Sequence, residues 1–90
     1  MEVKICQIPY QVSECSENFG DGHCGEIDYR KQLIRINQDM APEYKEQTLI
    51  HEMVHGILTC IGRDDLTNDE TFVQSLANGI YTSSFSIVKE

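Results

Sequence analysis

The sequence predicts an α+β domain in which a small three- or four-stranded sheet is followed by two helices. Three observations carry this expectation. Short β-branched or alternating runs separated by turn residues fill the chain up to Asn37. From Pro42 onward, apolar residues recur at helical spacing. A second helical pattern follows Thr67. The 90 residues read as one domain spanning 1–90. A chain of this size buries about 60–65% of its unfolded surface, enough for one modest core.

Val3 to Ile8 is rich in β-branched residues and reads as a first strand that stops at Pro9. Tyr10-Gln11-Val12 alternates apolar and polar and suits a second strand folding back on the first. Ser13 to Gly25 is polar and rich in glycine, which is a loop signature. Glu26–Tyr29 and Leu33–Asn37 read as two strands joined by a turn at Arg30-Lys31-Gln32. In the second of these, Ile34 and Ile36 share one face and would pack under a helix, while Leu33, Arg35 and Asn37 share the other.

Pro42 marks a helix start, with Glu43 and Glu46 where the helix dipole favours acids. The predicted helix runs to Ile61 and stops at Gly62, a residue suited to a left-handed cap. Ile50, Met53, Val54, Ile57 and Ile61 form its expected core stripe. Projected at about 100° per residue from His51, that stripe lies between about 200° and 300°. Arg63 to Leu66 is a link. Thr67-Asn68-Asp69-Glu70 matches a capping box that would open the second helix, whose buried face would be Phe72, Val73, Leu76, Ala77 and Ile80. Thr82 to Glu90 would either extend that helix or pack as a tail.

The net charge of −8 disfavours binding to nucleic-acid backbones and is compatible with a basic protein partner. No apolar run is long enough to span a membrane, and the N-terminal residues lack the pattern of a secretory signal. The expected location is therefore a cytoplasm. Cys6, Cys15, Cys24 and Cys60 form no C-x-x-C pair and are expected as free thiols. Cys15, His23 and Cys24 would supply only part of a second metal site.

The chemistry concentrates at His51-Glu52-Met53-Val54-His55, an H-E-x-x-H pattern inside the first helix. On a helix the two imidazoles lie about 40° apart and one turn from each other, so both reach one metal ion. Glu52 between them is placed to act as a general base on water held by zinc. A catalytic zinc needs a third protein ligand. One extended form of the motif would put Gly at 58 and His at 61, but the chain has Leu58 and Ile61. His23 is the remaining histidine. Glu70 on the second helix is the preferred candidate, bordering the buried face; its competing role is the glutamate of the capping box. Asp64, Asp65 and Asp69 are alternatives, and a nearby aspartate would suit the other ring nitrogen of a histidine. Tyr29, Tyr44 and Tyr81 are candidate donors to an oxyanion. The Leu33–Asn37 strand, as a sheet edge, would hold an extended peptide by strand addition.

Three runs together resemble the ImmA/IrrE-type zinc metallopeptidases, in the short form found in phages and other mobile elements. They are Gly25-Glu-Ile-Asp-Tyr with Leu33-Ile-Arg-Ile-Asn, then Glu46-Gln-Thr-Leu-Ile-His-Glu-Met-Val-His-Gly-Ile-Leu, then Asp69-Glu-Thr-Phe-Val-Gln-Ser-Leu-Ala-Asn. The resemblance covers about residues 25–81. It implies a minimal gluzincin-like, zincin-type fold with zinc held by His51, His55 and Glu70 and with Glu52 as catalytic base. It also implies hydrolysis of a specific protein, such as a transcriptional repressor. The rival expectation is a non-catalytic interaction module that keeps the fold and the metal; an intact Glu52 favours the enzyme.

Overall fold

The computed structural model describes residues 1–16 and 24–83. Its elements are β1 (Glu2–Ile5), β2 (Ile8–Cys15), β3 (Gly25–Asp28), β4 (Leu33–Asn37), α1 (Pro42–Cys60), α2 (Asp64–Thr67) and α3 (Glu70–Thr82). The α+β class and the order of sheet before helices are as the sequence predicts.

The sheet order is β1-β2-β4-β3, with β2 and β4 parallel and the other pairs antiparallel. β1 ends earlier than Pro9, because the chain reverses at Cys6-Gln7 between the paired residues Ile5 and Ile8. Both turn residues have positive φ, 50° and 68°, the conformation that a two-residue hairpin requires. Pro9 is tolerated inside β2 because β4 begins pairing only at Gln11. The backbone nitrogens of Pro9 and Gln11 point the same way, so the missing N–H faces no strand. The expected loop from Ser13 shortens, since Ser13, Glu14 and Cys15 continue β2 beside β4. The rest of that loop (17–23), with His23, lies outside the described residues, as does the tail from 84 onward.

Leu33–Asn37 is not a sheet edge. It is paired on both sides, with β2 and with β3, so no peptide can add to it. Among the described residues the edges are β1 and β3. Ile34 and Ile36 face α1 as expected and are buried, forming one core with Ile5 and Tyr10, against which Leu49 and Met53 of α1 pack.

The expected core stripe of α1 requires correction. Val54 is buried, Ile50 and Met53 are half-buried, but Ile57 and Ile61 are 41% and 60% exposed. The helix is packed on two sides rather than one. Leu49, Met53 and Gly56, at about 140–200° in the same projection, meet the sheet. Val54 and Leu58, at about 300–340°, meet Val73 and Ala77 of α3. The centre of the expected stripe is the solvent side between these two contacts. By the same logic Leu76 and Ile80 of α3 are exposed, while Val73 and Ala77 are buried.

α1 ends as predicted. Gly62 has φ +78°, its N–H donates to the Thr59 carbonyl, and the Arg63 N–H donates to the Leu58 carbonyl, a Schellman closure. The capping box does not form. Asp69 caps α3 by accepting from the Phe72 N–H at 3.1 Å, and Glu70 is the first helical residue. Thr67 ends the short α2 instead.

Cys6 and Cys60 are joined by a disulfide across 54 residues, which corrects the expectation of four free thiols. The β1–β2 turn packs at the end of α1, a proximity that sequence spacing cannot reveal. Cys15 and Cys24 are free.

Two glycines permit the close approach of α1 to the sheet. A Cβ on Gly25 would stand 2.7 Å from Thr48 Cγ2 and 2.9 Å from the Arg35 carbonyl oxygen. A Cβ on Gly56 would stand 2.7 Å from Ile5 Cδ1. Gly25→Ala is expected to lower unfolding free energy in urea by about 1–3 kcal/mol, because a backbone oxygen cannot yield. Gly56→Ala is expected to cost less, since the obstacle is a side-chain end and alanine regains about 1 kcal/mol of helix propensity. Equal or inverted losses would contradict this account of the packing.

Candidate metal centre

The two-sided packing of α1 leaves a wedge open between β3 and α3. This cleft has a volume of about 830 Å³. Gly25, Glu26 and Ile27 line one wall, Glu70 and Gln74 the other, and His51, Glu52 and His55 the floor.

His51 and His55 stand one turn apart with ring centroids separated by 4.9 Å. Glu70, at the start of α3, faces both. Its Oε2 lies 3.2 Å from His51 Nε2 and its Oε1 lies 2.9 Å from His55 Nε2. These three side chains offer ligand atoms that all lie within 4.8 Å of one another, a group that can hold a metal ion. Asp64, Asp65 and Asp69 do not join it. Asp65 is held by the Arg63 guanidinium at 2.8 and 3.0 Å, and Asp69 caps α3.

The other ring nitrogens fix how the imidazoles present themselves. His51 Nδ1 lies 2.9 Å from Gln74 Oε1, and Gln74 Nε2 donates to Asn78 Oδ1 at 2.8 Å. The amide orientation therefore makes Gln74 Oε1 the acceptor and His51 Nδ1 the donor. His55 Nδ1 lies 2.9 Å from Thr67 Oγ1, whose own proton points to the His55 carbonyl at 3.5 Å. In its neutral form each ring then carries its proton on Nδ1 and turns the Nε2 lone pair toward Glu70. Lone pairs do not face carboxylate oxygens without a positive species between them, either protons or a cation. Nitrogen and oxygen atoms bound at about 2.0–2.1 Å in a tetrahedral arrangement stand roughly 3.3 Å apart, close to the observed separations. The donor set and its geometry fit a metal. Gln74 and Thr67 occupy the place where an aspartate was expected. The stripe Glu70, Gln74, Asn78, spaced by four along α3, is the sequence signal that marks this wall.

Glu52 is 8% exposed, between the histidines and the sheet. Burial, and then the charge of Glu70, push its carboxyl up to about 7. Burial also holds His55 below the usual histidine range, against the pull of Glu70. Tyr29 and Tyr44 line the cleft and Tyr81 does not. The Tyr29 hydroxyl shares a hydrogen bond of 3.1 Å with Thr59 Oγ1, and burial raises its pKa. No helix among the described residues is long and apolar enough to cross a membrane.

The raised Glu52 carboxyl has a thermodynamic consequence in metal-free protein. Folding favours its protonated form, so its contribution is intact at pH 4 and is lost as pH rises from 4.5 to about 7. In urea titrations with chelator, Glu52→Gln is expected to be more stable than wild type at pH 8 by up to about 3 kcal/mol. The difference should vanish near pH 4; a difference independent of pH would contradict the burial argument.

No protein-family model matches the chain, and comparison with curated proteins and with solved structures finds no match.

Proposed function

We propose that the chain is a zinc-dependent peptidase of the ImmA/IrrE type that cuts a specific cytoplasmic protein, such as a mobile-element repressor. The observation that carries this reading is the convergence of His51, His55 and Glu70 beside the buried Glu52. Two imidazole nitrogens and one carboxylate suit zinc and leave a coordination position open. Such a metal, when bound, supplies a Lewis acid that acidifies water and polarises a carbonyl.

The remaining work falls to the chain's own residues. Gln74 and Thr67 keep the histidine rings oriented and their Nε2 lone pairs free. Glu52 accepts a proton from the attacking water and delivers it to the leaving amine nitrogen. Tyr29, on the cleft wall with its hydroxyl beside Thr59, would donate to the developing oxyanion. The edge strand β3 takes the substrate-binding role that β4 cannot, since its outer side lines the cleft and can pair with an extended peptide.

Protein purified without chelator should carry about one zinc per chain, as a three-ligand site requires. Glu70→Gln should weaken zinc at least about tenfold, with Asp64→Asn and Asp65→Asn unchanged. Glu52→Gln should keep zinc and lose cleavage of candidate repressors by at least about 100-fold, read as new N-termini by mass spectrometry. Absence of zinc would remove the reading. Zinc without any Glu52-dependent cut would leave a non-catalytic zinc-binding module.

A further inference from the structure

The Cys6–Cys60 bridge takes no part in the chemistry above, yet it ends on the helix that carries both histidines. Cys60 is the last residue of α1, and Cys6 sits in the β1–β2 turn. Both are exposed, so a thiol reagent or a redox protein can reach either sulfur. The neighbour of Cys6 is Ile5, 3% exposed, which packs on Gly56. Gly56 adjoins His55. The bridge and the Ile5–Gly56 contact therefore dock the hairpin on α1 directly beside a metal-facing histidine. The turn that presents Cys6 adopts positive φ at two residues that are not glycine, a conformation the free chain disfavours.

We propose that Cys6–Cys60 is a redox-controlled clamp on the metal centre. The inference rests on the metal-site reading and adds its regulation. The bridge closes when two thiols exchange with an external disulfide, forming the Cys6–Cys60 bond and releasing two external thiols. A dithiol reverses it, leaving two cysteine thiols and its own disulfide. In a reducing compartment the clamp stands open, the hairpin turn loses its covalent tie to the end of α1, and α1 holds its histidines less firmly. Oxidation closes the clamp and raises metal affinity.

The test measures zinc affinity by competition with a chromophoric chelator, on three forms of the full chain. These are the oxidised protein, the protein reduced with a phosphine, and Cys6→Ser/Cys60→Ser with and without the phosphine. A phosphine is used because it reduces the bridge without adding a chelating thiol. The oxidised form is expected to bind zinc at least about fivefold more tightly than the reduced one, the lower end of ordinary coupling between sites. The double variant should match the reduced form and ignore the phosphine. Melting without zinc should drop by several degrees on reduction. Zinc bound equally by oxidised and reduced protein overturns the clamp and leaves the peptidase reading standing. Zinc bound by no form overturns both. A reduced form that loses affinity while the double variant still responds to phosphine places the effect at Cys15 or Cys24 and also overturns the clamp.

Discussion

Everything in this small fold depends on α1 being packed on two sides at once. The sheet holds it through Leu49, Met53 and Gly56, and α3 holds it through Val54 and Leu58. The two contacts lie roughly 150° apart around the helix. The wider gap between them is the cleft, and the histidines are among the residues that fall in it. The narrower gap faces solvent, which is why Ile57 and Ile61 are exposed. One helix therefore serves as core, as floor of a site and as outer surface. Gly25 and Gly56 let the backbones come close enough for Glu52 to be covered without being displaced.

That burial sets the electrostatics. Three carboxylates, Glu26, Glu52 and Glu70, share the cleft with two imidazoles and with no lysine or arginine among its lining residues. Glu70 is exposed enough to stay solvated, whereas Glu52 is not, so the strain of like charge falls on Glu52. The same arrangement is comfortable once a divalent cation neutralises Glu70 and satisfies both Nε2 lone pairs. A cluster costly on its own and relaxed around a cation is what a metal centre requires of its protein.

Much of this was legible in the sequence, for reasons that differ by element. Leu33–Asn37 was readable because alternation with a period of two marks a strand with one buried face, and Ile34 and Ile36 are buried. Pro42 and Gly62 were readable because their backbone constraints are local. The core stripe was misread because a single periodic face assumes one partner, and α1 has two. The capping box was misread because Asp69 competes with Thr67 for the same helix end, and only the three-dimensional course of Arg63–Asn68 decides between them. His51, His55 and Glu70 were readable as a set because local spacing fixes the pair and chemistry demands a third ligand. Gln74 was not sought, since an amide is a less obvious partner than a carboxylate. The disulfide was invisible, because nothing local links residues 54 apart.

The misread capping box carries a functional lesson. A glutamate used to cap its own helix would have its carboxylate folded back on backbone N–H groups, away from α1. Asp69 takes that task through the Phe72 N–H, and so frees Glu70 to point across the cleft. Thr67, relieved of capping, turns its hydroxyl to His55. One shift of the helix start thus supplies both a candidate metal ligand, Glu70, and the group that orients another, His55. Coupling through such a compact arrangement is reciprocal by thermodynamic necessity. Whatever fixes α1 at its Cys60 end favours the metal, and the metal in turn favours the closed bridge. A chain with so small a core gains more from each of these ties than a larger domain would, because each is a larger share of the free energy that holds it folded.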